Sequence, residues 1–193
     1  MSWWARSKAD CRLRLDRVWP DRNVFLMEEI VNKVEASGLV QIELRQLLPE
    51  VNVQGFDLAN HLWQGMVLRE KEFRAAMKAL DPARWAGAVV AVHCSADAIV
   101  PDWAWMLVAA TFGEAGVAVE VGNVDEVRAR MHARQVEELD VTPFENQRVV
   151  VKGCSAVGGP GVLAGLVCKL QPVVKSLMFG EACSTVPIFK RRQ

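Results

Sequence analysis

The sequence predicts an α/β protein: a three-layer Rossmann-like sandwich on a mainly parallel sheet, with N-terminal helices and one extra strand. Short apolar runs, such as residues 88–93, alternate with helical segments in the order β-α-β-α-β-α-β. These runs are almost continuously apolar, which is typical of a parallel sheet covered by helices on both faces. The commonest open order for such a unit is 2-1-3-4, and this core order would make the strands ending at His93 and Lys152 neighbours.

Composition narrows the functional classes. The chain has 193 residues, of which 51% are hydrophobic and 24% charged, as in ordinary globular domains with a sizeable core. Its formal net charge is zero, so no overall field attracts nucleic acid or an anionic membrane. No apolar run approaches the roughly 18 residues of a membrane span, and no secretory signal is present. An odd number of cysteines favours reduced thiols and hence the cytoplasm.

Residues 1–26 differ from the rest of the chain. They combine several basic residues with three tryptophans and show no steady hydrophobic period. Such a mixture is found in surface anchors and in nucleic-acid arms. Because aspartates interrupt the basic character, we favour a non-native or disordered extension. Met27 is then the natural start, and residues 27–193 form a single α/β domain.

Sequence patterns in the first half of the domain predict helices and one strand. Residues 27–36 carry apolar side chains at helical spacing and are predicted to form a helix. Apolar and polar residues alternate over 40–44, which predicts a half-buried strand. Residues 49–55 are predicted to be a loop, after which Asp57 caps a helix. Residues 68–80 have the pattern of an amphipathic helix.

The second half alternates strands and helices. Its predicted strands are residues 88–93, 117–121, 149–152 and 173–178. Its predicted helices start at residues 101, 123 and 161 and end near residues 116, 139 and 170. The last helix follows a glycine-rich turn, Gly158-Gly159-Pro160-Gly161, whose free backbone N–H groups can hold an anion. This glycine spacing is neither a Walker motif nor a dinucleotide-binding motif.

Three cysteines, Cys94, Cys154 and Cys183, each lie at or just past the end of an apolar run. In open α/β sheets, ligands bind outside the carboxyl ends of the strands, where the strand order reverses. With order 2-1-3-4, that point lies between the strands that precede Cys94 and Cys154, and neighbouring strands are about 4.8 Å apart. The loop after the fourth strand brings Cys183 to the same rim. The sequence therefore predicts that the three thiols converge.

Three convergent thiolates can hold a soft metal. They select zinc, copper(I) or an iron–sulfur cluster, and they leave a fourth position open. Asp97 and Glu181 are the nearest candidates for a fourth ligand or for a proton acceptor. Cysteine is also a common core residue, so a packing role for all three stays open. Cys168 is predicted to pack within a helix, and Cys11 receives no role. His61 and His132 lie on predicted helices without a partner at ligand spacing, and both are predicted to be surface or half-buried.

Four motifs carry a resemblance to a known family. They are LREKEF at 68–73, HCSADAIVP at 93–101, KGC at 152–154 and FGEACSTVP at 179–187. Over about residues 27–192 the chain resembles the domain-of-unknown-function 2480 family of bacterial proteins. The resemblance implies no catalytic residues, because the family has no assigned reaction. It implies a process linked to iron–sulfur cluster assembly, with iron–sulfur assembly proteins as the expected partners.

Three functions stay open on the sequence. The first is a cytoplasmic accessory protein that binds zinc or an iron–sulfur cluster through Cys94, Cys154 and Cys183. The second is a thiol-dependent enzyme or sulfur acceptor, with Cys154 or Cys94 near a helix N-terminus as nucleophile. The third is a non-catalytic interaction protein whose cysteines belong to the core.

Overall fold

The computed structural model describes residues 38–152, 157–181 and 184–192 as an α/β arrangement in which most strand pairs are parallel. The described residues fall into two compact units. The first unit comprises residues 52–124, and the second combines residues 38–51 with the described residues from 125 onward. The predicted fold class, α/β with mainly parallel strands, is confirmed at that level.

Strands and helices alternate along most of the described chain. The described strands are β1 (Leu39–Glu43), β2 (Val53–Asp57), β3 (Leu62–Trp63), β4 (Val67–Leu68), β5 (Val89–His93), β6 (Ala118–Val121), β7 (Arg148–Lys152), β8 (Ser176–Glu181) and β9 (Ser184–Lys190). The described α-helices are α1 (Leu44–Leu47), α2 (Glu70–Ala79), α3 (Asp102–Glu114), α4 (Val124–Glu138) and α5 (Gly159–Leu170). Single 3-10 turns lie at Leu58–His61, Pro82–Trp85 and Thr142–Phe144.

The first unit is built on a parallel sheet in the order β2-β5-β6. The central strand, β5, is buried along almost its whole length because its run of valines and alanine has no polar side chain before His93. Helices α2 and α3 contribute Phe73, Met77 and Phe112 to the core on the side of Val92. Phe73 and Met77 are four residues apart, so they lie on one face of α2. The polar residues of the loops after β2 and β5 lie at the carboxyl end of this sheet, which we call the rim of the first unit.

The second unit is built on a sheet in the order β1-β7-β8-β9, in which only β9 is antiparallel to its neighbour. Three side chains of α5 at helical spacing, Val162, Leu166 and Leu170, pack into one core cluster with Val149 and Val151 of β7. Helix α4 joins the same cluster. The carboxyl ends of β1, β7 and β8 therefore form a second rim.

Most sequence-predicted elements are present, with three corrections in the rest. The segment that forms β2 was predicted to be a loop over residues 49–55, followed by a helix that Asp57 caps. β9 was not predicted. Asp57 does cap the segment after it, but that segment is a single 3-10 turn followed by the hairpin β3–β4. Gln64 and Gly65 adopt positive φ at 50° and 70°, which bends the chain between those two strands. A helix cannot continue through such residues.

The predicted strand order 2-1-3-4 is not confirmed as a whole. Strands β5 and β6 are neighbours, and so are β7 and β8, as that order requires. β5 and β7, however, belong to separate sheets. Each already has two partners, because β2 occupies one side of β5 and β1 occupies one side of β7. The three-layer Rossmann-like arrangement is consequently not confirmed.

Two further predictions concern membrane-spanning helices and the N-terminal segment. No helix among the described residues is long and apolar enough to cross a membrane. The predicted extension, residues 1–26, and the predicted helix over 27–36 lie outside the described residues. The boundary at Met27 therefore stays a prediction.

Candidate functional site

The rim of the first unit is organised around the carboxylate of Asp57 at the end of β2. Ser95, in the loop after β5, donates its backbone N–H to Oδ1 at 3.0 Å and its hydroxyl to Oδ2 at 2.6 Å. The backbone N–H of Ala59 donates to Oδ1 at 2.9 Å. β2 and β5 pair in register with Asp57 opposite His93, so the two strand ends are level. The carboxylate thus ties the loop after β5 to the end of the neighbouring strand.

The charge of Asp57 is stabilised by its surroundings. Partial burial on its own raises the pKa of this carboxyl, but the hydrogen bonds from Ser95 and Ala59 and the nearby His93 lower it by more. Nε2 of His93 lies 3.9 Å from Oδ2 of Asp57. The net pKa of Asp57 is therefore below its ordinary value, and the group is anionic near neutral pH. Asp57 was assigned only a capping role from the sequence; its long-range partner Ser95 carries no local signal.

Cys94 lies beside this network but belongs to the core. Its side chain is half-buried and packs against the cluster that includes Val92 and Phe73. Its thiol donates to the carbonyl of Ala96 at 3.5 Å. Asp97, predicted as a fourth ligand, is exposed in the same loop. Among the described residues, no three His, Cys, Asp or Glu side chains are arranged to hold a metal ion.

The rim of the second unit brings the residues before the other two cysteines together. Nζ of Lys152, at the end of β7, lies 3.5 Å from a carboxylate oxygen of Glu181, at the end of β8. Cys154 is the second residue after Lys152, and Cys183 is the second after Glu181. Both cysteines lie outside the described residues. The convergence of all three thiols was predicted from a pairing of β5 with β7 that the described sheets do not contain, and it stays a prediction.

The N-terminus of α5 is exposed and lacks a capping side chain. Its N-cap is Gly158, with φ of 69°, and no acidic residue lies in the first turn. A Cβ at Gly158 would lie 2.4 Å from Cγ2 of Val162, so glycine is required there for space as well as for conformation. The first N–H groups of a helix have no partner within the helix. The glycine-rich turn therefore does form the start of a helix, and anion binding at its backbone stays a prediction.

His132, on α4, is buried beside this N-terminus. It is 3% exposed, and neither ring nitrogen has a hydrogen-bond partner among the described residues. Burial lowers the pKa of His132, and Arg128 lowers it further, against smaller opposing effects of Pro49 and Glu50. The carbonyl of Pro49 favours a protonated ring by proximity, without hydrogen-bond geometry to it. The sequence predicted a surface or half-buried histidine, which was wrong because α5 covers this face of α4.

Two other predicted positions are placed by the structure. Cys168, predicted to pack within its helix, is exposed on α5, so it is available to solvent. His61, predicted to be surface or half-buried, is half-buried between the rings of Phe56 and Phe73, with centroids at 5.4 Å from each. Burial lowers the pKa of His61 more than the charge of Asp57 raises it. Neither residue contributes to a cluster of possible ligands.

Comparison with known proteins gives one match. The model of the family described as "Protein of unknown function (DUF2480)" matches residues 28–191. No curated protein and no solved structure matches the chain. The match covers most of the chain, and the chain belongs to this family.

Proposed function

We propose that this member of the DUF2480 family is an accessory protein that binds a metal ion or an iron–sulfur cluster at the carboxyl ends of β7 and β8. The observation that carries the proposal is the contact of Lys152 with Glu181 at 3.5 Å, since each is followed two residues later by a cysteine. Neighbouring parallel strands end at the same edge of a sheet. Lys152 and Glu181, the last described residues before these two cysteines, therefore lie at the same edge of the sheet.

Charge and chemistry support this ligand set. Two thiolates and the carboxylate of Glu181 suit zinc, which accepts sulfur and oxygen ligands. With a dication bound, these three anionic ligands give the site one negative charge in excess. The ammonium of Lys152 can balance that charge. The side chain of Glu181 is 65% exposed, so it can leave its ion pair for a metal at little cost.

Cys94 and Asp97 were predicted as further ligands, and that role stays a prediction. They belong to the first unit, where the thiol of Cys94 already has a carbonyl partner. The proposed site does not depend on them. A cytoplasmic location and iron–sulfur assembly partners follow from the cysteine usage and the family resemblance, and they belong to the same proposal.

The test is metal analysis of untagged protein purified without oxygen. We expect zinc or iron near one equivalent in the wild type, and loss of that metal in Cys154→Ser and in Cys183→Ser. Cys168→Ser is the matched control, since this exposed cysteine lies on α5 and has no assigned role. Cys94→Ser decides whether a third thiol takes part. Metal-free wild-type protein with every thiol open to a thiol reagent would rule out the proposal.

A thiol-based reaction is the second candidate. Lys152 precedes Cys154 by two residues and the N-terminus of α5 follows it by five, and cations and helix N-termini lower the pKa of nearby thiols. This candidate predicts rapid alkylation of one cysteine at neutral pH and loss of that fast phase in Cys154→Ser. Equally slow alkylation of all cysteines in the metal-free protein would eliminate it.

A further inference from the structure

The exposed face of α5 has the composition of a packing surface. Of the 12 residues of this helix only Lys169 is charged, and its ammonium donates to the carbonyl of Glu137 on α4 at 2.6 Å. A helix that is apolar all round is normally covered on every side. The exposed positions of α5 nevertheless recur at helical spacing and hold small residues. They form the α5 stripe: Gly161, Ala164, Gly165 and Cys168.

Two large apolar side chains lie beside this stripe, on the edge strand β9. Val186 is 60% exposed and Ile188 is 49% exposed, and we call this pair the β9 ridge. Val186 pairs with Phe179, whose side chain packs into the core cluster beneath α5, so the ridge lies on the same face of the sheet as that helix. Ile188 also lines an apolar cleft of about 220 Å³ together with Ala164. One side of the second unit thus presents a ridge, a cleft and a flat stripe next to one another.

The β9 ridge and the α5 stripe complement each other in shape, and one chain carries both. A two-fold axis brings the same patch of two copies together, so that each contact between two different residues is made twice. Across such an axis, the β9 ridge of each copy can lie against the α5 stripe of the other. An apolar cavity of about 150 Å³ is large enough for benzene, so the cleft has room for an aliphatic side chain of a second copy. A second copy therefore covers every exposed part of this face.

Charges at the two ends of the β8–β9 hairpin favour one relative direction of the two copies. Glu181 lies at one end, where it pairs with Ser184, and Lys190 lies at the other end, where it pairs with Ser176. Both charged side chains are exposed. A two-fold axis perpendicular to β9 runs the strand in opposite directions in the two copies, so Lys190 of each copy lies on the side of Glu181 of the other. The opposite charges then attract, whereas a parallel arrangement would place like charges together.

We propose that a second copy of this chain covers the α5 stripe and the β9 ridge, and that the protein is a two-fold symmetric dimer through its second unit. The β9 ridge of one protomer packs on the α5 stripe of its partner, and the two chains run antiparallel along β9. This interface does not depend on the proposed metal site, because it uses neither Cys154 nor Cys183.

Sedimentation equilibrium of the full chain under reducing conditions tests the proposal. We expect a dimer in the wild type, and a dissociation constant about tenfold higher or more in Ala164→Glu and in Ile188→Glu, because each places an unpaired charge in the interface. Ala110→Glu is the matched control, since it makes the same change at an exposed position of α3. A wild type that stays monomeric at about 100 μM would overturn the proposal. So would a dimer that neither substitution weakens while both variants remain folded by circular dichroism.

An exchange of charges tests the direction of the two copies. Lys190→Glu and Glu181→Lys should each weaken the dimer about threefold or more, and the double variant should recover most of the loss, because the pair is restored with its signs reversed. Lys71→Glu, at an exposed position of α2, is the control and should leave the dimer unchanged. Further weakening in the double variant, in place of recovery, would overturn the antiparallel arrangement.

The thiol of Cys168 reports which molecule covers the α5 stripe. Its alkylation, followed by mass spectrometry, should be slow in the dimer and fast in the monomeric Ile188→Glu variant. A monomeric wild type in which Cys168 is still protected would show that another segment of the same chain covers the stripe, and would overturn the proposal. Cys154→Ser and Cys183→Ser should dimerise like the wild type whatever their metal content, so this outcome is separable from that of the metal proposal.

Discussion

Ser95 donates two hydrogen bonds to the carboxylate of Asp57, across 38 residues of sequence, and so joins the loop after β5 to the end of β2. The bond from the hydroxyl is the shorter, at 2.6 Å, as expected for a hydroxyl donating to an ionised oxygen. Nε2 of His93, at the neighbouring end of β5, lies 3.9 Å from Oδ2 of the same carboxylate. The loop that carries Cys94 and Asp97 is therefore held by one anionic side chain.

Removing that charge should destabilise the first unit. Asp57→Asn replaces an ionised acceptor by a neutral one, and hydrogen bonds to charged groups contribute about 1.5–3 kcal/mol, less where they are exposed as at Ser95. We expect the free energy of unfolding to fall by about 1.5 kcal/mol, measured by urea denaturation. Asp97→Asn, in the same loop and exposed, is the control and should change it by less than about 0.5 kcal/mol. Equal effects of the two substitutions would contradict the anchoring role of Asp57.

Stability should fall as the pH is lowered from 7.5 to 5.5. His61 and His132 both have a pKa below the ordinary value near 6.5, mainly because of burial. Below pH 6.5 the histidines of the unfolded chain take up protons, whereas those of the folded protein do not until the pH reaches their lowered pKa. The free energy of unfolding therefore falls as the pH drops from 6.5 toward that lowered pKa. Urea denaturation at several pH values measures the slope.

His132→Leu isolates one of the two histidines. The substitution removes the titrating ring and its unpartnered nitrogens, so the pH dependence should become shallower, with little loss of stability at pH 7.5. His61→Leu tests the other histidine in the same way. A slope identical to that of the wild type in both variants would show that neither histidine causes the pH dependence.

The sequence predicted most elements because their patterns are local. Residues 149–151 and 88–92 are unbroken apolar runs, and the helices between strands show apolar side chains at helical spacing. β2 escaped detection because Gly55 and Asp57 are typical of loops and caps. Gly55 fits a close approach inside the strand, since a Cβ there would lie 3.3 Å from the side chain of Val124 and 3.4 Å from that of His93.

Strand partners could not be predicted in the same way. Besides β6 and β8, the neighbours of β5 and β7 are β2 and β1, two strands that come before both of them in the chain. Nothing in the apolar run of β7 distinguishes β1 from β5 as a neighbour, because a buried parallel strand is apolar on both faces. The rule that ligands bind at strand ends led to one shared rim for the ends of β5 and β7, because the rule does not say which strands belong to the same sheet.

Glycine at position 158 should be far less replaceable than glycine at position 159. Both have positive φ, at 69° and 74°, so alanine costs about 1–2 kcal/mol at either one. Only Gly158 is also crowded, with Val162 at 2.4 Å and His132 at 3.1 Å from a Cβ. We expect Gly158→Ala to lower the free energy of unfolding by about 3 kcal/mol or more, since overpacking adds about 1–3 kcal/mol. Similar losses for the two variants would show that α4 and α5 relax around the added methyl group.

The Lys152–Glu181 ion pair should matter for metal binding more than for stability. Exposed ion pairs contribute about 0–1 kcal/mol, and the carboxylate of Glu181 is largely exposed. Glu181→Gln should therefore leave the melting temperature almost unchanged and weaken metal retention against a chelator. Glu70→Gln breaks a comparable exposed pair with Arg74, at 2.8 Å on α2, and should affect neither property. If Glu181→Gln retains metal as well as the wild type does, Glu181 is not a ligand and the proposed site reduces to its thiols.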